Sequence, residues 1–192
     1  HVTLVPSPLA LQGPAATAWQ LASDAQCTEE QIEAVASLAL DLQKRFDARP
    51  DKKTHFLPVA TPHNNHRAVW LGGGGVGKTR TLSKVVEPLA ITFFCESGYS
   101  ATAQSNQAAQ NLGPRGRTIH AATGLLMTDS LQTAKLRLNT RTQKKLERLA
   151  GPCGIDVIDE LGCVSGSLLH ADALRKTYGR SLRHNLDNAM YM

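Results

Sequence analysis

At 192 residues, with 42% hydrophobic and 19% charged residues, the chain has the composition of an ordinary folded domain, which excludes a collagen-like or wholly disordered polymer and a large two-core enzyme. No run of 18 or more apolar residues occurs, so no membrane partner is expected. Lys and Arg number 21 against 16 Asp and Glu, a net +5, and the four cysteines form no C-x-x-C pair and have no His at zinc-like spacing. Neither a disulfide framework nor a zinc site is therefore expected, and a reducing, intracellular setting is.

Residues 1–27 carry Pro6, Pro8, Gly13 and Pro14 without a period and read as an extended lead-in. They start with His, lack the basic start of a signal peptide, and suggest a fragment or processed chain. Thr28 as N-cap, Gln31 three residues on, and the stripe Ile32, Val35, Leu38, Ala39 and Leu42 predict a helix through about Phe46. Residues 48–67, with Pro50, Pro58 and Pro62, read as a loop insertion. Ala68 to Leu71 is a short apolar run predicting a strand, followed by glycines and a helix from Lys78 to Glu87 that Pro88 should stop.

A second strand is predicted over Tyr99 to Ala103 and a helix over Ser105 to Leu112, closed by the turn Gly113 to Gly116. Residues 133–150 hold Lys135, Arg137, Arg141, Lys144, Lys145 and Arg148 against Glu147 alone, a local +5 that leaves the remaining chain neutral. A basic helix there, ended by Gly151-Pro152, is the footprint of a polyanion binder; its alternative is a solvated face. Ile155 to Ile158 predicts a third strand delivering Asp159 and Glu160, with Asp156 unusual inside it, and a last helix runs from about Ser167 to Tyr178. Alternating strands and helices predict an α/β fold with a mostly parallel central sheet flanked by helices.

Gly72-Gly73-Gly74-Gly75-Val76-Gly77-Lys78-Thr79 fits G-x-x-x-x-G-K-T, a phosphate loop. Glycines let backbone N–H groups turn toward phosphate oxygens, Lys78 reaches the β- and γ-phosphates, Thr79 offers a hydroxyl to Mg²⁺, and the following helix, with Arg80 at its start, points its positive end at the anion. Such a loop needs an acidic partner at a strand end. Asp159 would complete the Mg²⁺ shell, and Glu160, facing differently because strand side chains alternate, would orient or deprotonate an attacking water. The nucleotide expected is ATP with Mg²⁺, the loop from Gly72 to Arg80 holding it and Lys78, Asp159 and Glu160 acting on it.

These residues resemble the Pif-like DNA helicases of superfamily one. Thr102-Ala103-Gln104-Ser105-Asn106-Gln107-Ala108-Ala109 looks like motif Ia of that family, and Gly116-Arg117-Thr118-Ile119-His120 looks like the next motif, with its T-I-H signature. The resemblance implies single-stranded DNA contacts at Thr102, Ser105, Asn106, Thr118 and His120, and an adenine-recognising glutamine at Gln31. It implies a RecA-like P-loop NTPase domain over residues 28–192, an ATP-dependent DNA helicase motor, a role in DNA repair, recombination and telomere maintenance, and a nuclear or mitochondrial location. Gly162-Cys163 stands where the family has Ser-Met, and the interval from Gln31 to Gly72 exceeds its usual spacing. No G-D-x-x-Q-L-P-P motif, second RecA-like domain or arginine finger is found in the sequence, so the first half of a two-lobed motor is expected, with the second lobe as partner.

On charge alone, Lys144, Lys145 and Arg148 are further candidates for DNA contact. Ser105, Asn106 and Thr118 have a second reading as helix caps, His120 as a packed side chain and Gln31 as the capping-box residue. Two functional alternatives stay open: another phosphate-loop enzyme such as a small-molecule kinase, and a degenerate ATP- or DNA-binding module without turnover. A GTPase is disfavoured because no N-K-x-D motif is present.

Overall fold

The computed structural model describes residues 12–52, 54–57, 68–72, 74–125, 139–150 and 153–190, with the backbone alone over 183–190. Gly73, the middle of the loop insertion, and Lys135 and Arg137 of the basic segment lie outside the described residues. The chain divides into two compact units, His1–Gly98 and Tyr99–Met192. Among the described residues no helix is long and apolar enough to cross a membrane.

The first unit is helical. Helix α1, Pro14–Asp24, occupies what the sequence suggested was an extended lead-in. Pro14 suits the first turn, where its missing N–H has no intrahelical partner, and Thr17, Ala18 and Ala22 recur on one buried face. The Gln43 side chain accepts from Ala15 N–H at 3.1 Å, capping this helix from its neighbour. That neighbour, α2 over Glu29–Asp47, starts at Thr28 with the predicted capping box. Glu29 and Glu30 in its first turn and Lys44 and Arg45 in its last oppose the helix dipole. It buries Val35, Ala39, Leu42 and Phe46, and the Phe46 ring meets Phe93 edge-on at 5.6 Å.

Pro88 does not end the next helix. Helix α3, Lys78–Thr81, widens into a π-turn over Leu82–Val86 and resumes as α4, Glu87–Phe94. Glu87 N–H donates to the Leu82 carbonyl five residues back, and this wider turn relieves the clash a proline ring makes with the carbonyl four residues back. The run continues because its far side is core: Val85, Leu89, Ala90 and Phe93 are fully buried. It stops where Cys95 takes a positive φ of 68°. Leu57 N–H then satisfies the terminal Phe93 carbonyl at 2.7 Å.

The second unit is α/β, a small three-stranded parallel sheet flanked by helices. Its strands are β1 (Tyr99–Ala103), β2 (Gly116–Thr118) and β3 (Ile155–Asp159), in the order β2-β1-β3. Helix α5, Asn106–Asn111, connects β1 to β2; α6, Ile119–Thr123, and α7, Thr140–Ala150, precede β3; α8, Gly166–Met190, follows it. Helix α8 runs past the expected end at Tyr178 because its next residue, Gly179, is a packing residue. A Cβ at Gly179 would lie 2.6 Å from the Leu146 carbonyl oxygen, so α7 and α8 pack backbone to backbone there.

Asp156, the odd carboxylate of β3, has a partner. Lys176 of α8 donates to both its oxygens at 2.9 and 2.8 Å and pairs with Asp172 at 2.9 Å. Burial pulls the Lys176 ammonium down, but the two carboxylates outweigh it and hold its pKa above the usual 10.5. Asp172 is pushed up by its own burial, more than Lys176 lowers it. Arg180 adds a smaller lowering influence on Asp172, and Asp156 a raising one.

Lys176→Met should leave the buried Asp172 without its nearest cation and the exposed Asp156 without its ion pair, and lower stability by about 1–3 kcal/mol in urea unfolding at neutral pH. Adding Asp156→Asn and Asp172→Asn should recover most of it. Because the folded pKa of Lys176 exceeds its unfolded value of 10.5, its contribution is complete below pH 10.5 and lost as pH rises through the folded value. The wild type should therefore lose stability above that pH more steeply than Lys176→Met.

Candidate functional site

The phosphate loop lies in the first unit. The predicted strand before it is absent: residues 68–72 are irregular, and Val69 and Leu71 are 65% and 89% exposed. Four apolar residues make a strand only where a neighbour completes the ladder, and the described strands all belong to the second unit. The loop-to-helix half of the motif is present. Gly75 and Gly77 have φ of +78° and +82°, a left-handed backbone that glycine adopts without cost, and Gly77 is the N-cap of α3. Cβ atoms at Gly74 and Gly75 would meet nothing within 4 Å, so this face of the loop is open.

Lys78 folds back over the loop and donates to the Gly72 carbonyl at 2.7 Å, which holds its ammonium above the glycines. Thr79 follows, half-buried in the first turn of α3. Arg80 turns away: its guanidinium donates to the Ala25 carbonyl at 2.8 Å, closing the C-terminus of α1, so its expected place at the nucleotide is taken by a structural contact.

Gln31 joins α2 to the loop. Its Oε1 accepts from Thr28 N–H at 3.0 Å and its Nε2 donates to the Val76 carbonyl at 2.8 Å. Both ends of the amide are thus engaged by backbone, the capping-box role together with a brace for the loop. The same Nε2 lies 2.5 Å from where a Cβ at Gly77 would sit, a second reason for glycine there.

Asp159 and Glu160 lie in the second unit. The parallel register pairs Ala103 with Thr118 on one side and with Asp159 on the other, so all three strands end together. The segments beginning at Gln104, Ile119 and Glu160 therefore emerge at one carboxyl edge, the side on which open α/β sheets bind ligands. Asp159 Oδ1 accepts from Glu160 N–H at 2.9 Å. Glu160 is exposed with φ of 53° and ψ of 42°, a left-handed conformation costly for a side-chain-bearing residue, and it turns out of the strand into the 3₁₀ turn Leu161–Cys163.

Of the candidate strand-contacting residues, Thr102 is corrected. It is 1% exposed inside the sheet, its hydroxyl donates to the Val157 carbonyl at 3.2 Å, and it has no surface to offer DNA. Ser105 and Thr118 are N-caps, accepting from Ala108 and Ala121 N–H at 3.1 Å each. Asn106 is exposed and His120 half-buried, both just beyond strand ends. On α7, Lys144 and Arg148 are exposed while Lys145 reaches the Ala121 carbonyl.

Sequence reasoning missed the Lys145 contact and the Asp156–Lys176–Asp172 cluster. A cavity of about 20 Å³ beside Cys153, Asp156, Lys176 and Arg180 has room for a water and not for a nucleotide. Burial pushes the Cys153 thiol up to about 12, so it stays protonated and unreactive. Among the described residues no three His, Cys, Asp or Glu gather as a metal site, so Mg²⁺ bound by Thr79 or Asp159 would take its further ligands from water or phosphate oxygens. No protein-family model, curated protein or solved structure matches the chain.

Gln31→Ala should lower stability by about 1 kcal/mol without nucleotide, because a cap and a loop brace disappear together. Urea unfolding of the nucleotide-free protein measures it. Unchanged stability with reduced discrimination between ATP and GTP would assign the side chain to the base instead.

Proposed function

We propose that the chain is a RecA-like motor domain of a Pif-like, ATP-dependent DNA helicase that couples ATP hydrolysis to movement on single-stranded DNA. The observation that carries this reading is the loop from Gly72 to Thr79: an open glycine turn, left-handed at Gly75 and Gly77, leading into α3 with the Lys78 ammonium held above it. Its residue types suit a triphosphate. Backbone N–H groups of a glycine turn give a diffuse positive field, and the Lys78 ammonium, now on the Gly72 carbonyl, is within the loop that would hold the phosphates. Thr79 and Asp159 are the proposed Mg²⁺ ligands, and the bound ion would neutralise charge on the terminal phosphates.

Glu160 is the proposed residue that orients and deprotonates the attacking water. Its left-handed backbone takes it out of the strand while Asp159 remains in β3, which suits two roles for two adjacent acids. The common strand edge supports DNA contact by Asn106 and His120, with Ser105 and Thr118 fixing the two short helices that carry them. A second RecA-like lobe as partner, action in DNA repair, recombination and telomere maintenance, and a nuclear or mitochondrial location follow from the family resemblance alone. The second reading, an ATP- or DNA-binding module without turnover, is favoured by Gly162-Cys163 in place of Ser-Met, both exposed after Glu160.

Three measurements separate these readings. Lys78→Ala should abolish ATP–Mg²⁺ binding, Glu160→Gln should keep binding and lose turnover, and single-stranded DNA should stimulate ATP hydrolysis, which is expected to be slow in this chain alone and faster in a chain extended through a second RecA-like lobe. Hydrolysis indifferent to DNA favours another phosphate-loop enzyme such as a kinase. Binding without any hydrolysis favours the module, and equal turnover by Glu160→Gln removes Glu160 from the chemistry.

A further inference from the structure

Helix α7 presents Arg141, Lys145 and Arg148 at intervals of four and three residues, one stripe rising about 10 Å from end to end. Leu146 and Ala150 bury the opposite side, and Asn139 caps the start by accepting from Thr142 N–H at 2.8 Å. Lys145 Nζ donates to the Ala121 carbonyl of α6, drawing the stripe against the segment that follows β2. Arg117 of β2 completes the group. After burial, the influences that lower the Lys145 pKa are Arg117, Arg141 and Arg148 in that order, so three cations from two elements lie around Lys145, with Glu147 the one acid of the helix, outside the stripe. Arg117, Arg141 and Arg148 are all exposed.

A solvated helix face usually mixes signs. Here like charges converge from two elements, which costs energy unless an anion sits among them. Guanidinium groups are planar donors that hold phosphate in a bidentate fashion, and three of the four cations are arginines. We propose that Arg117, Arg141 and Arg148, positioned around Lys145, form a docking surface for the phosphate backbone of single-stranded nucleic acid. The identity of the polyanion rests on the motor reading. The surface itself rests on its own geometry, and it adds Arg117 and Arg141 to the cations that charge counting alone picked out.

The test is fluorescence anisotropy of labelled oligothymidylate across a salt series, with the wild type, Arg117→Gln/Arg141→Gln/Arg148→Gln, and Lys44→Gln/Lys84→Gln, two exposed cations of the first unit, as control. Each phosphate contact on a single strand contributes about 0.7 to the slope of log K against log salt, so the triple variant should lose about 2 in slope magnitude and the control nothing. Should the triple variant fail to fold, Arg141→Gln/Arg148→Gln alters only exposed helix positions and should lose about 1.4. An unchanged slope in a folded variant, or an equal loss per charge in the control, overturns the surface. Polyglutamate competing as well as oligothymidylate at equal charge overturns its assignment to nucleic acid. Binding of a fluorescent ATP analogue, measured in parallel, should be the same for wild type and triple variant. Its absence from the wild type would sink the motor reading while the slopes still decide the surface.

Discussion

In the second unit, one lysine ammonium holds the longest helix to the strand on which the candidate acids stand. Lys176 lies between Asp156 of β3 and Asp172 of its own helix, nearly shut off from water. Asp172 and Lys176 are buried while Asp156 is exposed, so displacing the cation would leave the Asp172 carboxylate buried beside an unfilled place, and the contact tolerates little movement. Asp156 is three residues before Asp159, so whatever fixes Asp156 also fixes the last turn of the chain before Glu160. Packing at Gly179 then sets α7 against α8, and through Lys145 the position of α7 is tied to α6 and the end of β2.

The parallel register does the remaining positioning. Because Ala103 pairs with both Thr118 and Asp159, the three strands terminate in line, and each exit is handled by local chemistry suited to it. Ser105 and Thr118 cap helices, satisfying N–H groups that would otherwise be orphaned at the sheet edge. Asp159 accepts from the N–H of Glu160, which leaves the strand in a left-handed bend. A strained residue beside a carboxylate at a carboxyl edge is a feature that persists where its surroundings over-determine it, and the Lys176 cluster is such a surrounding.

What was legible in the sequence was local. Thr28 and Gln31 announced a capping box because its hydrogen bonds close within four residues, and the glycine loop announced its turn because only glycine takes those dihedrals cheaply. What was not legible depended on partners elsewhere. Residues 14–24 looked like a lead-in until Gln43 capped them and α2 covered Ala18 and Ala22. Pro88 looked like a stop because a π-turn that accommodates it is selected by the buried face of Val85, Leu89 and Phe93, not by the proline. Asp156 looked misplaced because its partner is twenty residues on, at Lys176. Thr102 looked available because a motif comparison carries no information on burial, and Val69 and Leu71 looked like a strand because apolar runs predict strands only where a ladder is offered.

The two proposed anion sites differ in what would set their strength. The glycine loop offers dipoles: neutral N–H groups, fixed by backbone conformation and braced by Gln31, with one ammonium parked nearby. Its selectivity would come from shape, since the donors must converge on an oxygen of the right size. The surface of Arg117, Arg141 and Arg148 offers whole charges on long side chains, with a fixed point only at Lys145. Its strength would come from counterion release and from relief of its own repulsion, which would make it tolerant of sequence and sensitive to salt. On the proposed motor reading, that division would suit a firm grip on a small triphosphate and a reversible one on a long strand, which must be released and moved on at each turnover.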